Sequence, residues 1–139
     1  MKKRKVNRQL TERQLQILKL KASGFSGKQI AEIMGIKIKT VEDESGKLHR
    51  KLGTNNFSSS ITVALKQGLL MKDKSFPFPK LSAQEKLLIK LISKGLEIKE
   101  IPDCMEGITK KTISKIKLQL IEKFKAKNIC HVIYLNYSN

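Results

Sequence analysis

The chain has 139 residues and a mass of 15.8 kDa, with 29 Lys and Arg against 12 Asp and Glu and a formal net charge of +17. That length holds one ordinary domain or two very small ones, and excludes an elaborate ligand-binding domain beside a separate output domain. A hydrophobic fraction of 40% excludes wholesale disorder, the absence of Trp implies an aliphatic core, and the charge favours polyanions, nucleic acid first and anionic membrane second.

In chain order, residues 1–9 form a basic arm, Lys2 to Lys5 being its densest part, with no apolar run of signal length behind it. Thr11 is a good N-cap with Gln14 three residues on, and Leu15, Leu18 and Ala22 then share a helix face that Gly24 can end. Ser26 caps a second helix, with Gln29 at its third position, running to about Met34 before Gly35. A third helix is expected over roughly Ile38 to Leu52, with Val41, Leu48 and Leu52 inward and Gly53 as its stop. A fourth runs from about Ser58 to Gln67, with Ile61, Ala64 and Leu65 apolar.

The segment from Met71 to Lys80 contains Pro77 and Pro79, which cannot continue a helix, and is expected to be a short, stiff linker between residues 10–70 and 81–139. Beyond it the pattern recurs. At an offset of 71 positions Gly24 meets Gly95, Lys28 meets Lys99, Ile30 meets Ile101 and Met34 meets Met105. After one inserted residue Thr40-Val41 meets Thr112-Ile113, Leu48 meets Leu120, Lys51 meets Lys123 and Asn56 meets Asn128. The second copy has weaker punctuation: Pro102 falls inside its second helix, and its fourth, about Ile129 to Asn136, is short. No strand alternation competes, so the fold class is all-α.

Six ordered segments then carry a resemblance: Leu10-Thr11-Glu12-Arg13, Gly24 to Ala31, Thr40-Val41, Leu48, Lys51-Leu52-Gly53 and Gly68-Leu69-Leu70. In this order and spacing they resemble the LuxR/GerE-type helix-turn-helix domain of bacterial transcription regulators, and residues 81–139 look like a degenerate member of the same family. The resemblance implies two tandem four-helix domains binding double-stranded DNA, with the third helix of each in the major groove and the fourth at a dimer surface. It places candidate DNA contacts at Lys28, Lys39, Thr40, Lys47, Arg50 and Lys51 in the first copy. In the second they are Lys99, Lys110, Lys111, Thr112, Lys115 and Lys117. The candidate inter-domain or dimer surface is Ile61, Ala64, Leu65, Ile129, Val132 and Ile133, serving either a homodimer or an intramolecular pseudo-dimer.

Charge is shared by both copies, +10 over residues 1–70 and +7 over residues 71–139. The first copy departs from the resembled pattern at Glu42-Asp43-Glu44, acids on the turn expected to face the groove, where they would repel phosphate or accept from cytosine N4. Lys37 stands where the resembled type often has a capping Ser. The second copy shows the reverse, with Thr109 as cap and lysines around the start of its third helix, so the copies are expected to divide the work. The alternative is an adapter whose acidic third helix binds RNA polymerase or another regulator.

No pattern for an enzyme, a cofactor or a metal site appears. Cys130-His131 supplies two neighbouring ligands where zinc needs about four, and His49 is expected to be a phosphate neighbour or a surface residue. Two cysteines, too few for a disulfide scaffold, and no apolar run of membrane-span length give an expected cytoplasmic location without membrane contact. With no room for a receiver or autoinducer domain, control is expected through abundance or a partner protein.

Overall fold

The chain was analysed as a computed structural model that describes residues 10–73, 78–103, 105 and 107–137. The basic arm, Cys104 and positions 74–77 of the linker lie outside the described residues. Seven α-helices and one 3-10 segment make up the described elements, and the fold is all-α.

The first half contains α1 (Glu12–Ala22), α2 (Gly27–Met34), α3 (Ile38–Leu52) and α4 (Phe57–Lys66). Reciprocal capping boxes, Thr11 with Gln14 and Ser26 with Gln29, start the first two. Lys37 gives α3 no side-chain cap, whereas Asn56 Oδ1 accepts from Ser59 N–H at the start of α4. Ile17, Leu18, Ile30, Leu48, Ile61 and Ala64 are fully buried, so α4 completes the core that α1, α2 and α3 begin.

The second half repeats that order as α5 (Ala83–Ser93), a 3-10 segment (Ile98–Asp103), α6 (Lys110–Phe124) and α7 (Ile129–Tyr137). The second element differs from the helix expected there. Pro102 lacks an N–H and in an α-helix would clash with the carbonyl four residues back; the chain here takes tighter i to i+3 bonds, among them Glu100 N–H to Glu97 O at 2.8 Å. At the end of α6, Lys125 occupies the left-handed stop (φ 52°) that Gly53 fills in the first half.

The halves share one continuous core, and its most extensive helix contact is α4 on α7. Ile61, Ala64, Leu65, Val132 and Ile133 are buried and Ile129 is half-buried. The polar contacts across this seam are reciprocal, as in a two-fold interface. Asn56 Nδ2 donates to the Gly95 carbonyl at 2.8 Å, and Asn128 Nδ2 donates to the Gly24 carbonyl at 2.9 Å. The two asparagines also cap: Asn128 Oδ1 accepts from His131 N–H at 3.1 Å, as Asn56 does from Ser59. The Lys127 ammonium sits 3.9 Å from the centroid of the Phe25 ring, a cation–π contact between halves.

Close approach explains the paired glycines. Gly24 (φ 95°) and Gly95 (φ 100°) end the first helix of each half in the left-handed region. A Cβ at Gly24 would stand 2.7 Å from Lys127 Cβ, and one at Gly95 would run into Asn55 Oδ1. Gly24→Ala should therefore destabilise the protein by about 1–3 kcal/mol, strain and clash combined. Gly35→Ala, at φ 67° with open space around it, should cost no more than about 1–2 kcal/mol. Urea unfolding of the intact chain, followed by circular dichroism, measures both; equal losses would deny the seam its role.

Candidate nucleic-acid interface

Helices α2 and α3 pack closely, joined by a short turn through the left-handed Gly35, which puts α3 across the first half with one long side in solvent. Val41 and Leu48 hold its inner side. Lys39, Asp43, Gly46 and Arg50, spaced three or four residues apart, form the row opposite. In α6 the inner row is Ile113, Ile116, Leu120 and Phe124, and the outer row is Lys111, Lys115, Leu118 and Glu122.

Each third helix is tied to the first helix of its half at the same place by different chemistry. Gln14 is buried; its Oε1 accepts from Lys51 Nζ at 2.8 Å, and its Nε2 donates to Glu44 Oε1 at 3.0 Å. The corresponding Glu85 is also buried and accepts from Lys123 Nζ at 2.7 Å. Burial opposes ionisation of Glu85. The hydrogen bond from Lys123 and the capping bonds at Ser82 outweigh it, holding the carboxyl below its ordinary value.

These ties change the picture of the acidic turn. Glu44 does not face outward: it bonds Gln14 and lies 3.9 Å from Arg13, with its side chain only 17% exposed. Asp43 pairs with Lys39 at 4.0 Å, which leaves Glu42 as the exposed acid without a described partner. His49 is not a surface group. It is half-buried, with Nδ1 2.7 Å from Ser60 Oγ and its ring edge-on to Phe57, and burial pushes its pKa below the ordinary value.

Of the first-half candidates, Lys28, Lys39, Lys47 and Arg50 are exposed and Thr40 is half-buried, whereas the Lys51 ammonium is engaged with Gln14. In the second half Lys110, Lys111, Thr112 and Lys115 are exposed around the first turns of α6. Lys99 lies on the 3-10 segment, 3.9 Å from Glu97. Lys117 is half-buried in a crevice with Phe57, Ile98 and Cys130 at the seam, away from the outer row. Thus α3 gathers Lys39, Lys47 and Arg50, and α6 gathers Lys110, Lys111 and Lys115. The sequence reading missed Gln14 and Glu85 as ties; the signal for both was the third position of a capping box, recognised at Gln14 alone. Among the described residues no helix is long and apolar enough to cross a membrane, and no group of His, Cys, Asp or Glu could hold a metal.

Comparison with known proteins agrees with this geometry in the first half. Residues 8–64 match the luxR family of bacterial regulatory proteins (GerE), a match that spans α1 to α3 and most of α4. Over 73 residues, 52% of this chain and 34% of the relative, the sequence is 36% identical to the Transcriptional regulatory protein YdfI of Bacillus subtilis (strain 168). Over 61 residues, 44% of this chain and 28% of the relative, it is 39% identical to the Oxygen regulatory protein NreC of Staphylococcus aureus (strain JH9). The chain spans about a third of the length of these curated relatives. No solved structure gives a significant match.

The two ties make a natural comparison of a charged with a neutral acceptor. A carboxyl whose pKa is lowered by folding stabilises the fold above its unfolded value, and that contribution is lost as pH falls through the folded value. The chain should therefore lose stability as pH drops below the ordinary carboxylate range, about 4.3 for Glu. Glu85→Gln, which installs the acceptor found at Gln14, should flatten that dependence. Melting temperatures of both proteins between pH 7 and pH 3 measure the difference, and parallel curves would count against the Glu85–Lys123 tie.

Proposed function

We propose that the chain is a DNA-binding transcription regulator in which α3 and α6 each approach a major groove. The observation that carries this reading is the luxR-family match over residues 8–64 with the basic outer side of its α3 open to solvent. Base edges in the major groove present a distinct donor and acceptor pattern to a helix, while Lys and Arg set the register on phosphates. The repeated element order, the offsets of 71 and 72 and the reciprocal seam support reading residues 81–139 as a second, degenerate copy. On that reading residues 71–80 are a linker and one chain carries both groove helices as an intramolecular pseudo-dimer.

The adapter reading is weaker. It needs an acidic face on α3, and Glu44 is turned inward while Asp43 is paired with Lys39.

Fluorescence anisotropy with random-sequence duplex tests the proposal. Affinity should fall steeply with salt, with a log–log slope of about −0.9 per phosphate neutralised. The double variant Lys111→Glu, Lys115→Glu should reduce the magnitude of that slope by about two, one unit per lost phosphate contact. Reversal of Lys39, whose charge is already shared with Asp43, should change it less. Binding should be one chain per site. Failure to bind any duplex at low salt would overturn the reading, and equal losses from Lys39 and from the α6 lysines would overturn the asymmetry.

A further inference from the structure

The outer rows of α3 and α6 differ in kind. At the centre of the α6 row Leu118 is 66% exposed, more than any other large apolar side chain on the described helices. Single exposed leucines are ordinary on protein surfaces, but the neighbours of this one are not neutral. Lys115 and Lys111 precede it on the same row and Glu122 follows it, Lys110 lies at the helix start, and none of the three lysines forms an ion pair with another described residue. An apolar protein groove is a poor receptor for this surface, since docking would bury three ammonium groups against the single carboxylate of Glu122. The major groove fits it. Phosphates line the rim, and the C5 methyl of thymine offers an apolar group at the base edges.

Position 46, the counterpart of Leu118 in α3, is a glycine, so that helix presents no apolar group there. The end of its row is instead Arg50, a residue type that pairs with guanine O6 and N7. A homodimer presents the same helix twice and favours an inverted repeat. Here the seam joins two different helices in one chain.

We propose that Leu118 is a specificity-determining residue that reads a thymine methyl, and that the DNA site recognised by this chain consists of two unlike halves, thymine being selected under α6. This rests on the DNA-binding reading above and names the form of its target.

The test uses the full chain. Duplexes selected from a random pool by the purified protein should converge on a site that is not an inverted repeat. Replacing the thymine under α6 by deoxyuridine, which removes only the methyl, should weaken binding about fourfold, the equivalent of about 0.8 kcal/mol for one buried carbon. In Leu118→Ala the thymine and deoxyuridine duplexes should bind alike. In Lys115→Ala both should bind less tightly with the ratio between them kept. A selected site that is a perfect inverted repeat would overturn the proposal, as would a thymine preference that survives in Leu118→Ala. Self-association of the protein that disappears in Leu118→Ala would also overturn it, assigning the leucine to a protein contact. Absence of binding to every duplex at low salt is a separate result, which overturns the DNA reading itself.

Discussion

The packing of α4 on α7 is the contact on which the rest of the molecule depends. A unit of about 60 residues buries a small share of its chain's surface and is marginal alone. Here the apolar faces of Ile61 and Leu65 on one side and Val132 and Ile133 on the other are covered by one shared core. Asn56 and Asn128 make that core specific. Each starts a helix with its oxygen and holds the opposite half with its nitrogen, so one side chain serves both its helix and the seam. Capping bonds of this kind contribute about 1 kcal/mol each, and a displaced seam would also leave the carbonyls of Gly24 and Gly95 without these partners.

The seam fixes the halves, and the ties to α1 and α5 fix the helices within them. Gln14 and Glu85 sit at the same place and receive an ammonium from the same place, Lys51 or Lys123. The first half needs Glu44 as well, because the neutral amide of Gln14 has a nitrogen to satisfy as well as an oxygen. That requirement accounts for an acid in the middle of α3 without assigning it to the solvent side. In the second half the carboxylate of Glu85 accepts only, and the residue matching Glu44 is the apolar Ile116, which joins the core.

Much of this could be read along the chain because each signal is local. The capping boxes at Thr11, Ser26 and Ser82, the stops at Gly35 and Gly53 and the apolar spacing of Val41 and Leu48 act within one or two helical turns. Contacts between halves were less legible. The sequence offsets align Asn56 with Asn128 and Gly24 with Gly95, whereas the structure shows each asparagine paired with the other half's glycine, a crossing that no self-comparison of the sequence contains. Two side chains were misread for a related reason. Glu44 and Lys117 lie three and four residues from Val41 and Ile113, beside the buried stripe and not across from it, so polarity suggested solvent where position dictated a tie or a crevice. Pro102 was visible as a defect, but that the chain would tighten into a 3-10 segment depended on how its neighbours could be satisfied locally.

The short connection between the halves also has a consequence for dosage. An interface between separate molecules forms in proportion to the square of their concentration and dissolves on dilution. On the reading of residues 71–80 as a linker, the two surfaces are tethered within one chain, and a short tether holds its ends at an effective concentration on the order of millimolar. Dilution does not lower that figure. On the same reading the paired arrangement of α3 and α6 is complete in every folded molecule, and its abundance rises in direct proportion to the number of chains present, with no threshold to cross.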